Sequence, residues 1–204
     1  MPKGDKFILW FEEVSRNDVA LVGGKNASLG EMYQNLDSKG VSVPPGFAIT
    51  AYAYQYLLEK GGLEDDIKKA LDGLDTHNVP DLQKRGKKVR DLIENAHFPK
   101  ELEKEIYEAY DELGRRLDVK NPDVAVRSSA TAEDLPDASF AGQQESYLNV
   151  TGKRELLHFV KKAFASLFTN RAISYREDRG FGHFDVYLSI VVQKMARSDL
   201  ASSG

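Results

Sequence analysis

The residues best suited to chemistry fall in four short segments, each able to meet a phosphate, a cation or a planar base. The first is Val22-Gly23-Gly24-Lys25-Asn26-Ala27-Ser28-Leu29-Gly30. Glycines let a backbone approach a ligand closely, and the amides of a helix start together with a lysine favour a phosphate. This is not a Walker A motif: Val19 stands where its first glycine belongs, and Asn26 follows the lysine in place of Ser or Thr. Taken alone, the segment favours a glycine turn before a helix with a solvated lysine. The second segment, Val124-Ala125-Val126-Arg127-Ser128-Ser129-Ala130-Thr131, places Arg127 where a strand runs out into a polar loop. Such strand ends often hold ligands, and a guanidinium can fork onto phosphate oxygens. Pairing of Arg127 with Glu133 or Asp134 explains it equally well.

The third segment is the rest of that loop. Glu133, Asp134 and Asp137 offer three carboxylates to a cation, but they lack EF-hand spacing, so a solvated loop is the plainer reading. Gly142 permits close backbone approach, and Ser146 can donate to a phosphate. The fourth, Gln193-Lys194-Met195, ends an apolar run. Its Gln and backbone can meet a planar base with Met195 packed on it, although an ordinary strand-end polar residue accounts for Gln193 without further information. His77, His97, His158 and His183 are scattered and show no paired metal-ligand spacing; His183, between Gly182 and Phe184, is the least easily dismissed. Tyr52, Tyr54 and Tyr56 read as packing, because no basic residues interleave with them.

The elements that must position these segments can be read from periodicity. Phe7–Phe11 is a buried strand, and Asn26 is a candidate cap for a helix carrying Leu29, Met32, Tyr33 and Leu36, with Gly40 as the stop. Pro44-Pro45-Gly46 forces an extended or turning segment before a short strand at Phe47–Ile49, and Thr50 caps the Tyr-rich helix that Gly61-Gly62 ends. From Leu63 to about Leu117 the pattern is helical and highly charged, with Pro99 starting a helix whose Leu102, Ile106, Tyr110, Leu113 and Leu117 share a face. Strands follow at Asp123–Ser128 and Glu145–Val150, separated by the long Ser129–Gln144 loop. A helix runs from Lys153 to about Asn170, and Val186–Met195 is the strongest strand. A strand that apolar should lie centrally with partners on both sides. The chain after it supplies none, which leads to the expectation of a truncated domain, with a tail after a last strand as the alternative.

Composition sets the bounds. The 204 residues are 41% hydrophobic and 29% charged, ordinary for a globular protein able to bury a core. The net charge of −4 supplies no bulk basic field for nucleic acid or anionic lipid. The absence of cysteine excludes disulfides, thiolate metal sites and cysteine nucleophiles. Glu12 and Glu13 break the apolar start too early for a signal peptide, and no run approaches the ~18 apolar residues of a membrane helix. A cytoplasmic protein without nucleic-acid or membrane partners is the default expectation.

Read together, the second and third segments become specific. Val126-Arg127-Ser128-Ser129-Ala130-Thr131-Ala132-Glu133-Asp134-Leu135-Pro136-Asp137-Ala138-Ser139-Phe140-Ala141-Gly142-Gln143 closely resembles the hallmark loop of the phosphoenolpyruvate synthase (pyruvate, water dikinase) family. Val22–Met32, Val43-Pro44-Pro45-Gly46-Phe47 and Val191-Val192-Gln193-Lys194-Met195 resemble further motifs of that family in the expected order, as does Ser198–Gly204. The resemblance implies an α+β fold: the N-terminal part of an ATP-grasp-type nucleotide-binding domain, a mixed sheet with flanking helices. The domain would be incomplete over 1–204, with mixed α/β parts at about 1–60 and 119–204 and a mainly helical segment at 61–118. It further implies that Lys25 and Arg127 hold ATP phosphates and serve catalysis, that Gly142 and Ser146 line the phosphate loop, and that Gln193 helps hold adenine.

In that family the whole enzyme converts ATP, water and pyruvate to phosphoenolpyruvate, AMP and phosphate. A separate swivelling domain carries a phosphohistidine, and a barrel domain binds pyruvate. None of the histidines here lies in a phosphohistidine-like motif, and no metal ligand is assigned; the acidic Mg²⁺ ligands are expected in a later segment. Phosphoryl transfer depends on positioning and on charge neutralisation by cations, so the chain alone is expected to bind ATP weakly and not to turn over. Two alternatives stand beside this. Related nucleotide domains serve rifampin phosphotransferases and glucan, water dikinases, and the charged Leu63–Leu117 region would suit a non-catalytic regulatory module.

Overall fold

The computed structural model describes residues 2–36, 39–131 and 145–196. The chain begins with β1 (Ile8–Trp10) and reaches α1 (Val19–Leu36), whose helix is broken at Gly23. After β2 (Gly46–Ile49) come α2 (Ala51–Lys60), α3 (Leu63–Leu71), α4 (Val79–Glu94) and α5 (Lys100–Arg116). The sheet then resumes with β3 (Asp123–Ala130) and β4 (Ser146–Thr151), followed by α6 (Lys153–Ala165), α7 (Asn170–Arg179) and β5 (Leu188–Lys194).

Local signals account for most of these boundaries. The Thr50 side chain accepts from the Ala53 amide at the start of α2, Asn78 from Asp81 at α4, and Thr169 from Ala172 at α7. Helix α5 carries Glu101 and Glu103 in its first turn and Arg115 and Arg116 in its last, the arrangement its dipole favours. Its buried stripe is Leu102, Ile106, Ala109, Tyr110 and Leu113. The helix expected from Lys153 to about Asn170 stops at Ala165, passes through a 3₁₀ turn at Ser166–Phe168, and is followed by α7. The Thr169 cap starts α7, which the apolar pattern did not reveal because only Ala172, Ile173 and Arg176 of it are buried.

The five strands lie in the order β1-β2-β5-β3-β4. The expected α+β class with flanking helices is what is found, but the sheet expected to be mixed is antiparallel at every described pair. Strand β5 enters between β2 and β3, which already run alike, so it opposes both. The apolar run at Val186–Met195 is therefore central, as its composition required, and both of its neighbours precede it in the chain. The pairing on both sides of β5 therefore does not depend on chain after it.

Alternation along the strands splits the side chains between two faces. On one face, Phe47 and Ile49 of β2, Leu188, Ile190 and Val192 of β5, and Val124, Val126 and Ala130 of β3 join one large core with residues from α2 through α7. The opposite face carries Leu9 and Ala48, which pack with Val14 and with Val22 and Ala27 of α1 in a smaller cluster. Tyr110 ties the helical layer to the sheet: its hydroxyl donates to the Pro122 carbonyl at 2.6 Å and accepts from the Gly152 amide at 2.8 Å. Arg116 at the end of α5 lies over the Trp10 ring at 3.7 Å and pairs with Glu12 at 2.6 Å.

Candidate functional site

Residues opposite one another on antiparallel strands point to the same side, and so do residues two apart on one strand. The register places Arg127 opposite Ser146 on β4 and opposite Val191 on β5. Ala125 opposes Gln193, which opposes Gly46 on β2, and Ser129 opposes Ser189. Arg127, Ser146 and Gln193 therefore share the α1 side of the sheet, with Gln193 on the diagonal from Arg127, roughly 7–8 Å by sheet geometry. Arg127 and Gln193 are half-buried and Ser146 is exposed.

The glycine turn meets this face at the end of β3. Gly23 has φ 72° and ψ 166°, a conformation that favours glycine. A Cβ there would lie 2.3 Å from the Ser129 Oγ and 2.5 Å from its carbonyl oxygen, so the contact of α1 with β3 requires that nothing project from this position. The Asn26 amide donates to Ser129 Oγ at 3.4 Å, and Asn26 Nδ2 donates to Ser189 Oγ at 2.9 Å and to the Val22 carbonyl at 3.1 Å. Asn26, Ser129 and Ser189 are all fully buried. Half-buried Lys25 leaves the same turn. Asn26 was expected to cap the helix; it instead lies inside the helix and pins the turn to two strands.

Upstream, Ser15 and Asp18 fix the approach to this turn. Asp18 accepts from the Ser15 amide at 2.8 Å, from Ser15 Oγ at 2.9 Å and from Lys3 Nζ at 2.6 Å. Burial alone would raise the Asp18 carboxyl, but the Lys3 ammonium and the Ser15 donors bring it below its ordinary value. At the far side, Gln193 Nε2 donates to the Pro44 carbonyl at 3.0 Å, and the Lys194 amide donates to Pro45 at 2.9 Å. The Pro-Pro-Gly segment and the end of β5 thus form one corner. Gly46 completes it, because a Cβ there would sit 2.3 Å from the Val192 carbonyl oxygen.

Four of the five residues expected at a site, Lys25, Arg127, Ser146 and Gln193, are thus carried by elements bordering one face. Gly142, with Glu133, Asp134 and Asp137, lies outside the described residues. The reading missed Asn26, Ser129 and Ser189 as a buried polar clamp; the one signal for it was a serine on the second face of an otherwise apolar strand. Among the described residues, no three His, Asp or Glu side chains gather as a cation site. A cleft of about 490 Å³ on the other face is lined by Arg90, Glu94, Glu145, Tyr147 and Lys162 and contains none of the expected ligands. Its Arg90 is already engaged with the Phe168 carbonyl at 2.7 Å and Asn170 at 3.2 Å, so the guanidinium is structural. The groups bordering the α1 face are a glycine turn, two cations and a hydroxyl, with a polar amide at its far corner, residue types able to meet an anion.

Residues 19–204 match the family described as the pyruvate phosphate dikinase AMP/ATP-binding domain. The chain is 54% identical over 199 residues to the phosphoenolpyruvate synthase of Helicobacter pylori, covering 98% of this chain and 24% of that protein. It is 56% identical over 206 residues to that of Synechocystis sp., covering 99% of this chain and 25% of the relative. With that of Escherichia coli it shares 54% identity over 197 residues, 97% of this chain and 25% of the relative. The chain spans about a quarter of the length of these curated relatives.

Proposed function

The chain belongs to the pyruvate phosphate dikinase AMP/ATP-binding domain family, and from that premise we propose that it is the ATP-holding part of a phosphoenolpyruvate synthase. The observation that carries this reading is the shared face of Arg127, Ser146 and Gln193, with the Gly23–Lys25 turn clamped at its edge. Lys25 and Arg127 neutralise the phosphates, Ser146 donates to them, and Gln193 meets the adenine from the Pro44–Gly46 corner. Gly142 belongs to the same phosphate loop in this reading. The fold is that of an ATP-grasp-type domain of which this chain supplies one portion.

The full activity is proposed to be phosphorylation of pyruvate by ATP and water, through a phosphohistidine on another domain, giving phosphoenolpyruvate, AMP and phosphate. Mg²⁺ would supply further charge neutralisation on the polyphosphate. The described residues hold no carboxylate cluster to receive it, so its ligands are assigned outside them. What this chain contributes is positioning: cations fixed to a rigid sheet face before the nucleotide arrives.

Calorimetric titration with MgATP tests the assignment. Lys25→Ala and Arg127→Ala should each weaken binding by roughly tenfold or more, the loss of one charge-assisted contact of about 1.5–3 kcal/mol. Variants that bind as the parent does would sink the site assignment.

A further inference from the structure

Asn26 is fully buried, yet only one end of its side-chain amide is answered. Its Nδ2 donates to Ser189 Oγ on β5 at 2.9 Å and to the Val22 carbonyl at 3.1 Å, and its main-chain amide donates to Ser129 Oγ on β3 at 3.4 Å. Its Oδ1 has no donor among the described residues. A buried carbonyl oxygen without a donor costs stability, and an apolar side chain of similar volume would avoid that cost. Core filling therefore explains this side chain poorly. What it supplies that an apolar group could not is direction: its donor end holds the turn it stands on to a strand 163 positions away.

The fixed points surround Lys25. Two residues before it, Gly23 lies so close to Ser129 that a Cβ would meet the Ser129 carbonyl oxygen at 2.5 Å. One residue after it, Asn26 is held to both strands. Ser129 opposes Ser189 and stands two residues beyond Arg127 on β3, roughly 7 Å along the strand and on the same side of the sheet. The serine that receives the turn therefore belongs to the strand and the face that carry Arg127. The backbone of Lys25 is set relative to Arg127 from both directions along the chain. Two cations that must meet one string of phosphates gain from such fixing, because groups already in place lose little freedom when the ligand arrives.

Resting on the reading of Lys25 as a phosphate-holding residue, we infer that Asn26 and Ser189 are positioning residues for the triphosphate: their hydrogen bond holds the Lys25 turn at the spacing from Arg127 that one string of phosphates spans. Both side chains are fully buried and act on the nucleotide through Lys25 alone.

A double-mutant cycle read by MgATP titration tests this, with urea denaturation of each variant alongside. Ser189→Ala removes the acceptor of the Asn26 amide and alters no group assigned to the ligand. It should weaken MgATP binding about fivefold in the parent, the loss of one hydrogen bond's worth of alignment. In a Lys25→Ala background it should change nothing, because the residue it positions is gone. Asn26→Ala should follow the same pattern; should that variant fail to fold, Ser189→Ala carries the test. Equal losses in the two backgrounds would overturn the positioning role and leave Lys25 as a ligand, and so would a Ser189→Ala variant that is less stable but binds as the parent does. MgATP bound equally by Lys25→Ala and the parent would instead remove the phosphate role of Lys25, and its positioning with it.

Discussion

Gly23 shows how much can hang on one missing side chain. Its φ of 72° and ψ of 166° lie where an L side chain is strained, and the space a Cβ would occupy is taken by Ser129. Gly23→Ala therefore suffers twice, through backbone strain and through overpacking, for a loss of about 3 kcal/mol. Urea denaturation reads the stability, and MgATP titration should show affinity falling too, because the turn carrying Lys25 must move off β3. A variant as stable as the parent would mean that the turn is not wedged as described. The glycine pair was legible in the sequence as a turn. That the turn is wedged against a serine more than a hundred positions away was not, because the contact depends on how two distant segments meet. Arg127 was likewise legible as a strand-end cation. Its neighbours were not, since register is set by the pairing of whole strands.

At the scale of elements, caps and periodic stripes placed most helices close to where they lie. The exceptions have local causes. Helix α7 escaped notice because it buries few apolar groups and includes a charged one, Arg176, among them. The Lys153 helix was drawn too long because the Ser166–Phe168 turn is as apolar as the helix before it, with all three residues buried. The Tyr110 hydroxyl joins α5 to both strand termini flanking the helical layer. Tyr110→Phe leaves the Pro122 carbonyl and Gly152 amide without this partner and should cost about 1–3 kcal/mol in urea denaturation. An unchanged midpoint would mean that the hydroxyl does not bear on stability.

The whole molecule is organised around a sheet with unequal faces. One is buried under the helices from α2 to α7, and the other packs against α1 and carries Arg127 and Ser146, the proposed phosphate-holding residues. Residues of the helical segment, such as Ile67, Val89 and Ile106, sit in the same core as Phe47, Val126 and Ile190. A shared core predicts a single cooperative unfolding transition, with far-ultraviolet circular dichroism and the fluorescence of the only tryptophan, Trp10, coinciding. Trp10 reports on both layers because Arg116 of α5 stacks on it. Helical signal lost ahead of Trp10 fluorescence would identify residues 61–118 as a separate unit.

The sequence by itself determined the α+β class, the central place of the Val186–Met195 strand, and the motifs that single out Lys25, Arg127, Ser146 and Gln193. The strand's place follows from its apolar composition, and the class and the site residues follow from the resemblance those motifs bear to a known family. Only the tertiary structure decided that Arg127, Ser146 and Gln193 face the same side, that Asn26 clamps rather than caps, and that β5 draws both partners from earlier in the chain. It also buried the Arg176 guanidinium in the core. Register, the meeting of distant turns and the fate of a charge in the core all depend on packing between segments remote in sequence, and no window along the chain contains them.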